Sequence, residues 1–328
     1  MIEKILTVIV PTYNRKNTLA RGLKAIIPQV VANRERVALY ISDNCSDDGT
    51  DEYIQLLHAE YPDLFESKRQ AQNLGAQGNF RDAVKSVKTK YVVIFSDDDL
   101  MLPNFVSIIL SEISAHPDAS LINYNALIVS SLGEYVGVRD PIVTGGKSRY
   151  YSSCGLFIVE HTHSPSLVTS NVFERKYFLD IIDSIDADEY PGYQWFAALV
   201  LGTLDRPVVY IDQPLLLQYS PAANRRVMNA PWYTAFGLTH LFEQVERKYA
   251  GVLGKWQTMF DANYKDFCLY LIGNHKDLYA ERYAKLVQHS PSPSFSRQLK
   301  YYYYLPPGLC RFLFRLMPRV FHSLAGLF

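Results

Sequence analysis

Three consecutive carboxylates, Asp97, Asp98 and Asp99, close an apolar run that begins at Tyr91. Their charges repel unless a cation stands among them, and a hard divalent ion carrying substrate phosphates is a common partner for such a group. An acidic turn capping the helix expected near Pro103 has the same composition, so the triplet alone leaves both readings open. A second polar cluster, DNCSDDGT from Asp43 to Thr50, also ends an apolar run. A third, Asp186, Asp188 and Glu189, precedes the apolar stretch around Trp195, where acids at a helix amino terminus would simply favour the helix dipole.

The elements that must position these groups follow from hydrophobic patterning. Ile5–Val10, Val37–Ser42, Phe65–Arg69 and the run from Tyr91 read as strands. Helices are expected from about Thr18 and over TDEYIQLLHAEY. Strand, polar loop and helix in alternation predict parallel βαβ units, whose ligands gather at the carboxyl ends of the strands. Asn14 with Arg15, Asp43 with Asn44, and Asp97 to Asp99 therefore converge on one rim. The stretch Asn73 to Phe80 reads as a loop in which Gly75 and Gly78 admit a close backbone approach. Asn73 and Asn79 would there offer amides to a base, ribose or phosphate. Neither a Walker loop nor a GxGxxG fingerprint is present, so a nucleotide would be held mainly through metal on the aspartates. Beyond Pro103 the pattern predicts a helix, a strand over Ala119–Val129, a flexible loop over 130–150, and strands at Pro207–Asp212 and Leu215–Tyr219. His161 and His163 have ligand-like spacing, but surface histidines are the simpler reading of a Ser/Pro loop.

Composition narrows the classes. The chain has 328 residues, 48% hydrophobic and 20% charged, which suits one large α/β domain with additions or two domains. Lys plus Arg equals Asp plus Glu at 33 each, which argues against wrapping nucleic acid through bulk charge. Cys45, Cys154, Cys268 and Cys310 form no CxxC pair, so reduced thiols and a cytosolic setting are expected. Met1 leads directly into ILTVIV without the pattern of a secretory leader, and no run is apolar enough to predict a spanning helix.

VIVPTYNR, ISDNCSDDGT, the NLG-containing loop and FSDDD, in this order, resemble family 2 glycosyltransferases of the GT-A fold. The SDNCSDDGT and SDDD forms are similar to the subset that builds bacterial O-antigen and capsule polysaccharides, abequosyltransferase-like enzymes among them. The resemblance covers residues 4–125 well, 160–220 loosely and the tail hardly at all. It implies that Pro11, Tyr13 and Arg15 line a nucleotide pocket and that Asp43 accepts a hydrogen bond from a pyrimidine ring NH. It places Asp97 near the ribose, with Asp98 and Asp99 holding Mg2+ or Mn2+ on the diphosphate. Ser96 departs from the pattern, since many relatives carry the first aspartate of their DxD there. An inverting transfer also needs a base, expected within Asp186 to Glu189 with Asp188 favoured over Glu189; Gln194 stands where relatives often have Asp before Trp. Arg225 with Arg226 would close over the diphosphate, although a plain basic turn reads the same.

These readings predict a GT-A domain over 1–225, divided into a nucleotide half, 1–125, and an acceptor half, 126–225. A helical extension over 226–290 and a basic amphipathic tail over 291–328 would follow. Arg311, Arg315, Arg319 and His322 form a stripe beside a wide apolar face, which fits a helix lying in a membrane surface. The same face suits docking on the core or on a second subunit. The expected function is transfer of a sugar from a nucleotide-diphosphate donor to a lipid-linked glycan, by a peripheral protein at the cytoplasmic face of a bacterial inner membrane. A non-catalytic sugar-nucleotide or glycan-binding protein on the same fold is the alternative.

Overall fold

The computed structural model describes residues 4–129, 134–140, 144–162, 164–190, 192–219, 238–256, 258 and 304–310. The chain divides into two compact units, Met1–Ser184 with Ala198–Tyr219, and Ile185–Ala197 with Ser220–Phe328.

The first unit is built on a ten-stranded mixed sheet. β1 (Leu6–Thr12) lies between β2 (Val37–Asp43) and β4 (Tyr91–Ile94), with β3 (Phe65–Arg69) outside β2, all in parallel register. Every residue of β1 is buried, as expected of a central parallel strand covered on both faces. Helices α1 (Lys16–Ala32), α2 (Thr50–Glu60) and α3 (Gly75–Ser86) make the crossovers. α1 buries Leu19, Leu23, Ile26, Ile27 and Val30, a helical stripe that joins Val8, Val10, Leu39, Ile41 and Val93 in one core. Each such side chain contributes roughly 1.5–3 kcal/mol of burial free energy.

After the two-residue β5 (Leu100–Met101) and α4 (Phe105–Ala115), β6 (Leu121–Val129) pairs in parallel with the long β10 (Val208–Tyr219). The gap between β4 and β6 is filled by β9 (Asn171–Glu174), antiparallel to both. Between β6 and β9 lie β7 (Tyr135–Val138), β8 (Ser148–Tyr151) and α5 (Cys154–Glu160), and α6 (Arg175–Ile182) follows β9.

The structure corrects several expectations. Within the flexible loop expected over 130–150, Tyr135–Val138 and Ser148–Tyr151 are strands, since β7 pairs β6 and β8 pairs β10. The two strands expected over 207–219 are one, bent by register shifts at Ile211 to Leu216. The loop expected over 73–80 is already helix from Gly75, whose φ of 70° no side-chain-bearing residue adopts easily. His161 is not a surface residue: it stacks on Phe157 and Tyr210, with Nδ1 3.4 Å from Asp140. His163 lies outside the described residues. Cys45 and Cys154 are free thiols, and among the described residues no helix is long and apolar enough to cross a membrane.

In the second unit, α7 (Gln194–Thr203) begins and α8 (Thr239–Glu246) packs through Phe242 on Trp256, whose indole N–H donates to Thr239. The remaining expected helices over 226–290, Arg225, and the stripe from Arg311 onward fall outside the described residues.

Candidate active site

The carboxyl ends of β1, β2, β3 and β4 form the rim on which the polar loops meet. Register makes Thr12 the partner of Asp43, and Asp43 the partner of Arg69. Thr12 Oγ1 donates to Asp97 Oδ2 at 2.8 Å, which ties the first loop to the carboxylate triplet.

The triplet is not one ligand set. Asp97 is 4% exposed and Asp98 42%, and a single nitrogen of Arg15 lies 2.7 Å from Asp97 Oδ1 and 2.8 Å from Asp98 Oδ2. Burial alone would lower the Arg15 guanidinium, but the two carboxylates outweigh it and hold the group above its ordinary value. Burial pushes Asp97 above the usual carboxylate range, against the pull of Arg15 and Thr12. Ser96, in the place of the missing aspartate, donates to Asp98 Oδ1 at 2.5 Å. It thus fixes the orientation of a carboxylate instead of supplying one.

Asp99 turns the other way. It is buried, its side chain bonds Thr169, and Thr169 Oγ1 also accepts from Ser96 N at 3.2 Å. Burial, reinforced by the charges of Asp98 and Asp97, pushes Asp99 up to about 8, so it is protonated near neutrality. Asp99, expected to hold metal beside Asp98, is thus buried against Thr169 and braces the turn from behind. α1 closes that side, since Arg21 donates to Asp98 O at 3.2 Å and stacks over Tyr219, and Gly22 packs on the turn itself. A Cβ at Gly22 would stand 3.3 Å from Asp97 O.

Asp43 sits at the base of the neighbouring loop, 1% exposed. Its Oδ1 accepts from Ser46 N at 3.1 Å and Ser46 Oγ at 2.5 Å. Its Oδ2 has no hydrogen-bond partner; Arg69 Nε is 3.4 Å away, close enough for charge attraction but not aligned as a donor. A buried carboxylate oxygen without a donor is costly, and a ligand N–H would satisfy it.

The surrounding loops are knitted together. Ser46 Oγ accepts from Asn14 N, Asn14 Oδ1 accepts from Asp47 N, and Asn44 donates to Asn73 while accepting from Leu74 N. Asn14 and Asn73 thus shape the rim through their own loops. Asn79 is elsewhere: on α3 and 2% exposed, its amide is engaged with Ser42 O and Ser42 Oγ, so it joins helix to strand and does not face a ligand. Tyr13 is exposed beside the rim, whereas Pro11 is buried within β1. Thr12, Ser46, Arg69 and Thr169 were absent from the sequence expectations. The strand-end rule could have found Thr12 and Arg69, which end β1 and β3.

Asp186, Asp188 and Glu189 belong to the second unit and are exposed. Asp186 Oδ1 accepts from Asp188 N at 2.8 Å in a local turn, and Glu189 lies 3.6 Å from His240. A cavity of about 470 Å³ opens at the opposite end of the first unit's strands, among Lys4, Thr7, Tyr40 and Lys88.

The mostly parallel sheet flanked by helices, with acidic loops at the carboxyl ends of its strands, is a fold of the GT-A type. Solved structures agree on that fold. TarS of S. aureus, in complex with UDP-GlcNAc, superposes with a TM-score of 0.61 at 14% identity, covering 90% of this chain and 83% of TarS. A mannosyltransferase, PcManGT of Pyrobaculum calidifontis, in complex with GDP-Man and Mn2+, gives 0.50 at 14% identity over 96% and 87%. In sequence, abequosyltransferase RfbV of Salmonella typhimurium is 32% identical over 117 residues, 36% of this chain and 35% of that protein. The match thus spans about a third of each. Residues 7–136, about two fifths of the chain, match the model of glycosyl transferase family 2.

Proposed function

We propose that the protein is a metal-dependent, inverting glycosyltransferase that moves a sugar from a nucleotide-diphosphate donor to a lipid-linked glycan in bacterial surface polysaccharide synthesis. The observation that carries this reading is the pairing of two features on the strand ends that flank β1. Asp43 Oδ2 is a buried acceptor awaiting a donor, and Asp97 with Asp98 is an acidic pair organised around positive charge. The first suits the ring NH of a base, the second a diphosphate brought in with a divalent ion.

The residues fit such an ion. Asp98 presents an oxygen-only, half-exposed carboxylate that Ser96 orients, and Asp97 adds negative charge behind it. Asp98 would hold Mg2+ or Mn2+, which when bound stabilises the charge of the departing nucleoside diphosphate. Around it, Asp43 orients the base, Thr12 fixes Asp97 toward the ribose, and the exposed Tyr13 offers a face to the nucleoside. Asp188 or Glu189, exposed carboxylates of the second unit, would take the proton of the acceptor hydroxyl. The basic tail would keep the protein at the cytoplasmic membrane surface, and binding to anionic liposomes with and without residues 297–328 tests that part separately.

Incubation of the purified protein with UDP- and GDP-sugars and Mn2+ tests the reading. Slow donor hydrolysis is expected, lost in excess EDTA and in Asp98→Ala, because loss of leaving-group stabilisation costs several kcal/mol. Full wild-type turnover in excess EDTA would remove the metal from the mechanism.

A further inference from the structure

We infer that Arg15 is a built-in counter-ion that occupies the cation seat of the site before metal arrives and is handed to the donor diphosphate when it does. The inference rests on the proposed metal-dependent reading and goes beyond it in assigning two successive partners to one side chain. One guanidinium nitrogen, not two, makes both contacts, at 2.7 Å to Asp97 and 2.8 Å to Asp98. It therefore stands between the carboxylates, where a shared cation belongs, and not beside one of them in a two-pronged pair. Arg15 is 24% exposed, and it is the amino-terminal flank of α1, which Gly22 packs against the turn. Its backbone is thus held while its long side chain keeps room to move.

The other cations nearby are committed differently. Arg21 bonds a backbone oxygen of the turn, and Arg69 faces Asp43. Two ionised carboxylates against one guanidinium leave a single negative charge. A divalent ion would neutralise the pair by itself, making Arg15 a surplus like charge at the same carboxylate and pushing it away. A diphosphate carried by the ion is the acceptor within reach, and guanidinium is well matched to phosphate oxygens. The exchange involves no covalent step: one charged contact opens and another forms.

Opposite signs follow for two affinities, which a merely structural arginine would not produce. In Arg15→Gln, Mn2+ alone no longer competes with the guanidinium, so it should bind about two- to fivefold tighter, the worth of a partly exposed ion pair. The nucleoside diphosphate, with Mn2+ saturating, loses a charge-assisted contact and should bind about tenfold more weakly. Calorimetry with MnCl2, followed by UDP or GDP, reads both, and unfolding midpoints confirm that the variants fold. Arg15→Lys keeps the charge and should fall between wild type and Arg15→Gln in both titrations. If wild type binds Mn2+ and neither variant binds it more tightly, Arg15 is not a competing counter-ion, and this inference fails while the metal-dependent reading stands. If wild type does not bind Mn2+ with or without nucleotide, the metal reading itself fails and the inference falls with it.

Discussion

Replacement of Asp99 by Asn separates a brace from a ligand. In the fold the carboxyl is buried against Thr169 and raised from 3.8 to about 8. An acid whose folded value is raised binds its proton in the native state while the unfolded chain has released it. Its contribution is therefore full below about pH 4 and is lost as pH rises toward 8. At roughly 1.4 kcal/mol per unit, the unfolded state gains about 4 kcal/mol from this group near pH 7. Asparagine is neutral in both states and keeps one donor and one acceptor for Thr169, so it removes that penalty. Relaxation around a newly charged group reduces such figures, and about 2–4 kcal/mol of stabilisation is expected near pH 7. Urea unfolding of both proteins at about pH 5, 6 and 7 should show the advantage of Asp99→Asn growing by roughly 1 kcal/mol per unit. Mn2+ affinity should be unchanged. A stability difference independent of pH would mean that Asp99 is ionised in the fold, and weakened Mn2+ binding would return it to the metal.

Asp43→Asn keeps the oxygen that Ser46 holds but turns the free acceptor into a donor. Nucleoside diphosphate should then bind roughly ten- to a hundredfold more weakly, with Mn2+ affinity unaltered, and equal nucleotide affinity by calorimetry would remove Asp43 from base reading. Gly22→Ala should leave stability near that of wild type, because about 1 kcal/mol of helix propensity offsets the crowding at Asp97 O. Displacement of the turn should nonetheless lower donor hydrolysis several-fold, and unchanged turnover would show that the turn absorbs the added methyl. Among Asp186→Asn, Asp188→Asn and Glu189→Gln, one variant should lose about a hundredfold in transfer with donor affinity retained. Three normal turnovers would place the base outside this segment.

β1, β2 and β4 were legible because their buried runs are continuous, β-branched and stopped by Pro, Asn or Asp, whereas β3, with Phe65 alone buried, gave a weaker signal. Their shared rim followed from that topology, and so did the neighbourhood of Arg15, Asp43 and Asp97. Direction within the triplet was not legible. Three adjacent carboxylates look alike until the turn sends Asp98 outward and Asp99 toward Thr169, a residue far along the chain. Asn79 misled because Gly-rich, Asn-rich sequence usually marks a loop, whereas here one glycine opens a helix and the asparagine is buried in it. β9 escaped because NVFE is four residues long and carries Asn171. That side chain is satisfied internally by the carbonyls of Pro165 and Leu167, which no local pattern announces.

The position of β9 also limits how the protein can be taken apart. The family-matched segment ends at residue 136, before β9 and β10 have been made. A fragment stopping there would leave Val92 and Val93 of β4 without the neighbour that completes their ladder, and β6 stripped of both its central companions. Unpaired apolar edges of this kind recruit other chains. The segment that carries the recognisable motifs is thus a unit of sequence and not of folding. During synthesis, the carboxylate turn lacks its Thr169 contacts to Ser96 and Asp99 until the ribosome has delivered that residue.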